Sequence, residues 1–88
     1  MNIQYKAFLL LKASIKLQEL RKPDRGSIVS FLKYLETNPF ERGDMTLHSK
    51  ESGTEYFMKG IRRRIVVYTV DHASKEIKVA DIKHIDEA

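Results

Sequence analysis

The sequence predicts one α+β domain over residues 1–88, in which an N-terminal helical hairpin packs on a small antiparallel β-sheet. Two amphipathic patterns with apolar residues at three- and four-residue spacing occupy the first part of the chain, which is typical of helices. An apolar β-branched run and an alternating segment follow in the second part, which is typical of strands. Helices that precede the strands, rather than alternate with them, favour the α+β class.

Both predicted helices have an apolar face. A candidate short strand covers Met1 to Lys6, with Ile3 and Tyr5 on one face. The first helix follows from about Ala7 to Leu20, and its apolar face consists of Leu10, Ala13, Leu17 and Leu20. Pro23 lies in the breaker segment that follows, and either Asp24 or Ser27 is a candidate cap for the second helix. That helix buries Ile28, Phe31, Leu32 and Leu35 and ends near Asn38, because Pro39 disfavours a helical residue before it.

The predicted sheet is built around a strand from about Ile61 to Val70 that begins with three arginines. Alternation places Arg62 and Arg64 on one face together with Val66, Tyr68 and Val70. A loop, His72 to Lys75, leads to a returning strand, Glu76 to Ile85, and the hairpin brings His84 near the arginines. The face that His84 takes depends on the register, because a slip of one residue reverses it.

Two further strands complete the predicted sheet. Thr54 to Lys59 alternates, with Tyr56 and Met58 on one face and Phe57 and Lys59 on the other. Gly60 and Ile61 are predicted to form the turn into the arginine strand. Met45 and Leu47 mark a candidate short strand in the polar connection that precedes Thr54.

Charge and composition restrict the kinds of partner and site. The formal net charge is +4, and the positive side chains concentrate between Thr54 and Val70, at one end of the predicted sheet, which favours a polyanionic partner. There is no cysteine, so a disulfide framework and a thiolate zinc site are excluded, and the three histidines lack a metal-ligand spacing. No segment has the length of a membrane span or the pattern of a signal peptide, which predicts a cytoplasmic protein that requires neither membrane nor cofactor.

Four motifs in the same order resemble the RelE/ParE superfamily of toxins from bacterial type II toxin–antitoxin pairs. The second helix ends in a Leu-x-x-Asn-Pro segment at Leu35 to Pro39. A polar loop with Leu47 precedes Tyr56-Phe57-Met58-Lys59, which is similar to the family's aromatic-led strand with a basic residue. Arg64-Ile65-Val66-Val67-Tyr68 resembles its arginine strand, and residues 82–88 resemble its closing strand.

The resemblance implies a toxin that a cognate antitoxin neutralises. In the RelE-like branch, the toxin enters the ribosome and cleaves mRNA without metal, through attack of the ribose 2′-hydroxyl on the adjacent phosphate. This chemistry needs a base, an acid and cations that stabilise the charge on phosphorus. The resemblance assigns phosphate contact to Arg64, a basic position of the neighbouring strand to Lys59 and catalysis to His84. Adding Arg62, which shares the predicted face of Arg64, we predict that Arg64, His84, Lys59 and Arg62 are catalytic. We predict that Arg63, Lys83 and Tyr56 bind nucleic acid.

The sequence also departs from the ribonuclease pattern of that family. Phe57 stands where some members have the first lysine of a pair, no tyrosine follows Tyr68, and the usual glycine before the arginine strand is displaced to Gly60. These differences leave open a ParE-like branch that inhibits DNA gyrase by binding, and an interaction module with no toxicity. The arginines also have a structural alternative, since charged residues often keep the edge of a sheet soluble.

Overall fold

Two helices pack on one face of a five-stranded mixed sheet, in the computed structural model, which describes residues 4–87. The strands are β1 (Lys6–Leu9), β2 (Met45–His48), β3 (Glu55–Ile61), β4 (Arg64–Asp71) and β5 (Glu76–His84), and the helices are α1 (Leu11–Gln18) and α2 (Lys22–Thr37). The sheet order is β1-β5-β4-β3-β2, in which only the β1–β5 pair is parallel. This arrangement confirms the predicted α+β class. Within residues 4–87, neither helix combines the length and apolar character needed to cross a membrane.

The first strand lies later in the chain than the sequence predicts. Residues 1–3 of the predicted strand fall outside the described residues, and the start of the predicted first helix is instead β1, which pairs with the first half of β5. In β1, Ala7 and Leu9 pack against the core while Phe8 is exposed, so an alternating pattern overlaps the start of the helical one. Leu10 is consequently exposed, and the prediction that it belongs to the core is wrong.

The second helix begins before Pro23 rather than after it. Its N-cap is Arg21, and Pro23 occupies the first turn, where the missing backbone N–H removes no helical hydrogen bond. The predicted caps, Asp24 and Ser27, are therefore inside the helix. Its end at Thr37 with Asn38 as the C-cap is as predicted.

The core lies between the helices and the sheet, and it forms because each element presents one apolar face. The sheet contributes Phe57, Val66, Tyr68, Ile77, Val79 and Ile82, and the helices contribute Ala13, Leu17, Ile28, Leu32 and Leu35. Val66 and Tyr68 are fully buried, as the alternation in the arginine strand predicts.

Arg62 and Arg63 form the turn between β3 and β4 and are not part of a strand, so the prediction of a strand from Ile61 is wrong at its start. Both have positive φ, 47° and 67°, as a two-residue turn of the type I′ class requires. Glycine would suit these positions better, which is why the sequence suggests a turn at Gly60. A turn at Gly60 and Ile61, two residues earlier, would however place Phe57 opposite Arg64 instead of Tyr68, and the ring contact between Phe57 and Tyr68 would be lost.

A β-bulge at Ala80 changes the register of the β4–β5 hairpin. Near the loop, Val70 pairs with Ile77 and Tyr68 with Val79, but beyond the bulge Val67 pairs with Asp81. The extra residue moves the even-numbered residues of β5 onto the face that the odd-numbered ones occupy nearer the loop. Without it, Arg64 would lie opposite Lys83; with it, Arg64 lies opposite His84.

Asp81, next to the bulge, connects β5 to α1 through ion pairs. Its Oδ1 accepts a hydrogen bond from the backbone N–H of Ile82 at 2.8 Å. Lys16 Nζ lies 2.9 Å from Asp81 Oδ1 and Lys12 Nζ lies 3.3 Å from Asp81 Oδ2. Burial acts to raise the pKa of Asp81, but the hydrogen bonds from Lys16, Lys12 and Ile82 outweigh it and hold the pKa below its ordinary value.

We predict that Asp81→Asn lowers the free energy of unfolding at pH 7 by about 1–3 kcal/mol, the usual effect of weakening a buried charged hydrogen bond. Because the folded-state pKa of Asp81 is depressed, its contribution is complete above the unfolded-state pKa of about 4 and is lost as the pH falls through the folded-state value. Urea unfolding between neutral and acidic pH tests this. The variant should show the smaller loss of stability on acidification, whereas the exposed control Glu51→Gln should follow the wild type. Equal acid dependence in Asp81→Asn and the wild type would contradict the assignment.

Candidate active-site cleft

Arg64 and His84 lie directly opposite each other at the end of the β4–β5 hairpin. The neighbouring pair is joined by a hydrogen bond, in which Ile85 N–H donates to the Arg63 carbonyl at 2.9 Å. Arg64 and His84 are therefore a non-hydrogen-bonded pair, the kind in which Cα atoms approach to about 4.5 Å and side chains are closest. The predicted proximity of the two residues is confirmed, and both lie on the helix-facing side of the sheet.

Their side chains line an open cleft of about 350 Å³ between the end of α1 and the sheet. Its lining consists of Lys16, Glu19, Leu20, Arg64, Ile82 and His84. Arg64 is half-buried and makes no hydrogen bond or ion pair with the side chains that the structure describes in residues 4–87. The cleft thus presents a guanidinium, an imidazole and a carboxylate to one small volume.

The surroundings of His84 determine which of its nitrogens can act in the cleft. Nδ1 lies 3.2 Å from the backbone N–H of Asp86 and 3.3 Å from Asp86 Oδ2. It accepts from the amide when neutral and donates to the carboxylate when protonated, because one nitrogen cannot do both at once. A neutral ring that accepts from the amide carries its proton on Nε2, and the protonated ring carries a proton on both nitrogens. Only the protonated ring is an acid that can give up its Nε2 proton.

Arg62 is held by a carboxylate instead of facing the cleft. Its Nε donates to Asp24 Oδ1 at 2.7 Å, which ties the β3–β4 turn to the first turn of α2. The hydrogen bond from Arg62 lowers the pKa of Asp24, and the charges of Arg62, Arg64 and Arg21 lower it further against the opposing effect of desolvation. Arg62 therefore does not share a strand face with Arg64, contrary to the sequence prediction.

Lys59 is also engaged by an acidic side chain and is not part of the cleft lining. Its ammonium lies 3.5 Å from Asp44 Oδ1, on the β2 side of the sheet. Asp44 Oδ2 accepts the backbone N–H of Gly60 at 2.8 Å, and this bond, followed by Lys59, lowers the pKa of Asp44.

The three residues predicted to bind nucleic acid are dispersed. Arg63 is exposed in the β3–β4 turn next to Arg64. Tyr56 pairs with Leu47, and Lys83 lines a groove with Leu47 and Met58 on the face of the sheet opposite the helices. Only Arg63 is thus near the cleft, while Tyr56 and Lys83 lie on the other face.

Two lining residues, Lys16 and Glu19, were not among the predicted site residues. The sequence marks them only as the polar side of a helix, and nothing in their spacing shows that the end of α1 reaches the sheet beside Arg64. Their position follows from β1, which brings α1 against the second half of β5. Within residues 4–87, no three histidine, aspartate or glutamate side chains converge as in a metal site.

Tyr68 follows Arg64 in β4 but belongs to the core. Its hydroxyl donates to the backbone carbonyl of Glu41 at 2.9 Å. Burial, followed by the charges of Glu41 and Asp44, raises the pKa of Tyr68 far above its ordinary value. Phe57 packs on Tyr68 with ring centroids 5.5 Å apart, so Phe57 is likewise a core residue.

Solved structures match this architecture over almost the whole chain. A chain of the archaeal RelE–RelB complex from Pyrococcus horikoshii matches with a TM-score of 0.80 and 22% identity, over 97% of this chain and 99% of that chain. The chain shares its fold. A chain of the toxin–antitoxin complex RelBE2 from Mycobacterium tuberculosis matches with a TM-score of 0.73 and 19% identity, over 93% of this chain and 99% of that chain. No protein-family model and no curated protein matches the sequence, so the resemblance to RelE-type proteins holds at the level of the fold.

We predict that Arg63→Gly raises the free energy of unfolding by up to about 1 kcal/mol, because a left-handed conformation costs a non-glycine residue roughly 1–2 kcal/mol and the greater freedom of unfolded glycine offsets part of the gain. Urea unfolding measures the change. The control Lys33→Gly, which also replaces an exposed cation by glycine but in the interior of α2, should instead lower the stability by about 1 kcal/mol. A loss of stability in Arg63→Gly would show that its side chain stabilises the turn.

Proposed function

We propose that this protein is the toxin of a type II toxin–antitoxin module and an endoribonuclease that inhibits translation by cleaving ribosome-bound mRNA. The fold it shares with chains of two toxin–antitoxin complexes supports this. The observation that carries the proposal is the Arg64–His84 pair, which lines an open cleft in which Arg64 makes no hydrogen bond or ion pair with a described side chain. A target on the ribosome places the protein in the cytoplasm.

Each step of the proposed reaction has a group in the cleft. Arg64 binds the scissile phosphate and stabilises the charge that develops on it. Glu19 takes the proton of the ribose 2′-hydroxyl, whose oxygen then attacks phosphorus to form a 2′,3′-cyclic phosphate. The P–O bond to the 5′-oxygen of the next nucleotide breaks, and the protonated His84 ring gives its Nε2 proton to that oxygen and becomes neutral. This route uses the hydroxyl of the RNA itself as the nucleophile and requires no metal.

The remaining predicted site residues take supporting roles. Arg62 is a positioning residue, because its bond to Asp24 fixes the turn that leads into Arg64. Arg63 is exposed beside the cleft and contacts a neighbouring phosphate. Lys59 reaches RNA only when its 3.5 Å contact with Asp44 opens, and Tyr56 and Lys83 contact the ribosome or RNA from the other face of the sheet.

We predict that Arg64→Ala lowers the mRNA cleavage rate by about 10²-fold or more, the usual cost of removing one charge-stabilising donor, and abolishes growth arrest after induction. The measurements are cell growth and primer-extension mapping of mRNA ends, with circular dichroism as the check on folding. Lys33→Ala, which removes an exposed cation from α2, is the matched control and should stay toxic. Full toxicity of a folded Arg64→Ala protein excludes Arg64 from the mechanism.

We predict that Glu19→Gln and His84→Ala each lower the cleavage rate by about 10²- to 10⁴-fold, the range for loss of a general base or acid. Both should retain ribosome binding, because Arg64 and Arg63 remain. Cleavage and ribosome co-sedimentation, measured side by side, separate the two effects. Parallel loss of cleavage and binding reassigns the residue to binding.

The engagement of Arg62 and Lys59 by Asp24 and Asp44 favours a second candidate function, a ParE-like or catalytically degenerate toxin that inhibits DNA gyrase by binding. Mapping of transcript ends after induction distinguishes the two. Cuts in translated mRNA support the nuclease, whereas intact transcripts with a DNA-damage response support gyrase inhibition.

The proposed antitoxin has a candidate docking surface on α1. Leu11 and Ile15 are 76% and 49% exposed and lie one turn apart, whereas Leu9 packs against the core. We predict that Leu11→Glu/Ile15→Glu remains toxic but needs more antitoxin for neutralisation, as measured by growth during titrated co-expression of the antitoxin from the adjacent reading frame. The control Phe8→Glu, in β1, should be neutralised like the wild type. Unchanged neutralisation of the α1 variant places the docking surface elsewhere.

A further inference from the structure

One edge of the sheet is covered by a helix, and the other is open among the described residues. At the β1 edge, the end of α2 covers the strand, since the Tyr5 N–H donates to the Glu36 carbonyl at 3.0 Å and the Ala7 N–H donates to Glu36 Oε2 at 2.8 Å. At the other edge, β3 alone among the elements of residues 4–87 pairs with β2. An open edge strand is a template for pairing with another chain.

The unpaired groups of β2 follow from the pattern of its bonds with β3. Ser49 N–H donates to the Thr54 carbonyl at 2.8 Å, and antiparallel bonds occur at alternate residues, so Leu47 and Met45 also direct their backbone groups toward β3. The backbone N–H and C=O of Thr46 and His48 consequently point outward. Neither lysine nor proline, the common protective residues of an edge, occurs in Met45–His48.

The sequence of this edge is complementary to itself. In an antiparallel pair centred on Thr46, the two Thr46 residues exchange backbone hydrogen bonds through groups that already point outward. On the open face, Met45 lies opposite Leu47 of the second copy, and these side chains are 62% and 52% exposed. At the ends of the pair, Asp44 comes opposite His48 of the second copy, and each keeps the partners of its own copy. Asp44 binds Gly60 and Lys59, and His48 Nε2 lies 3.0 Å from Glu55 Oε2.

The apolar surface beside this edge also favours contact with a second copy. Met45 and Leu47 form one wall of a groove of about 510 Å³ whose other lining residues are Asp44, Met58, Gly60, Ile65 and Lys83. Pairing of two β2 strands would join the grooves of two copies into one apolar surface across a ten-stranded sheet. The outward backbone groups of Thr46 and the apolar Met45–Leu47 pair both fit one occupant, a second copy of the chain.

We propose that a second copy of this chain pairs with β2, through an antiparallel β2–β2 contact centred on Thr46. The contact is small, because it comprises one short strand from each copy, so the dimer is weak and forms in the micromolar range. It does not depend on the proposed nuclease activity, since no residue of the Arg64 cleft takes part.

Sedimentation velocity over a range of concentrations tests the association. The wild type should shift from monomer to dimer, and Met45→Lys/Leu47→Lys, which places lysines opposite each other, should weaken the dimer by at least about tenfold. Leu11→Lys, an equally exposed apolar position on α1, should dimerise like the wild type. A wild type that stays monomeric at high micromolar concentration overturns the proposal and is the result expected if the edge serves a strand of another protein. A dimer that the double variant leaves intact overturns the location.

Cross-linking tests the register, and the absence of natural cysteine makes the result specific. Under mild oxidation, Thr46→Cys alone should form a disulfide dimer, because opposed residues lie about 5.5 Å apart between Cα atoms. Met45→Cys alone should not form a disulfide dimer, because the two residues at position 45 are diagonal neighbours about 7–8 Å apart. A mixture of Met45→Cys and Leu47→Cys chains should cross-link, because these two positions lie opposite each other. Cross-linking of Thr46→Cys no faster than that of the exposed control Leu11→Cys overturns the proposed register.

Discussion

The position of the candidate site depends on the ion pairs between the lysines of α1 and Asp81 of β5. The carboxylate accepts from the Ile82 N–H within β5 and binds Lys16 and Lys12 across the gap to α1. These contacts offset the cost of burying a charge and stabilise the strand where it accommodates Ala80 as an extra residue. Beyond that residue the faces of β5 are exchanged, and His84 is brought to the side of Arg64. A contact with no direct part in the proposed chemistry thus determines which side chains meet in the cleft.

Several cations at this end of the sheet are paired with carboxylates and stabilise the fold, whereas Arg64 is not paired with any described side chain and can bind a ligand. Asp24 engages Arg62, Asp44 engages Lys59, and Asp81 engages Lys16. Each of these pairs joins an element to its neighbour: the arginine turn to α2, β3 to the loop before β2, and β5 to α1. Arg64 differs, because it is half-buried at the same end of the sheet and has no such partner among the described side chains. Two of the cations that the sequence concentrates here, Arg62 and Lys59, are therefore structural, and the half-buried guanidinium of Arg64 is available for an anion in the cleft.

Local pattern predicts most of the fold. The alternation in β4 correctly gives the buried face with Val66 and Tyr68, and Pro39 gives the end of α2. The errors occur where two requirements compete. The apolar residues before α1 satisfy a helical and a strand pattern at once, and only the pairing with β5 selects the strand. At the arginine turn, the register of buried side chains outweighs the preference for glycine at positive φ.

Counting residues back from the β4–β5 loop predicts that His84 lies near Arg64. It does not predict which face of the sheet His84 occupies. Straight counting from Val70 and Ile77 places Lys83 opposite Arg64, and the bulge at Ala80 has no signature in its own sequence. Glu19 and Lys16 could not be found from the sequence, because their proximity to Arg64 is a result of tertiary packing.

Disulfide formation between engineered cysteines measures this register most directly. In the cysteine-free chain, Arg64→Cys/His84→Cys joins a non-hydrogen-bonded pair, whose Cα separation of about 4.5 Å suits a disulfide. The account predicts that this variant forms an intramolecular disulfide readily, whereas Arg64→Cys/Lys83→Cys, with side chains on opposite faces, does not. Preferential bridging of the second pair would show that Ala80 does not shift the strand, and the Arg64–His84 cleft would not exist as described.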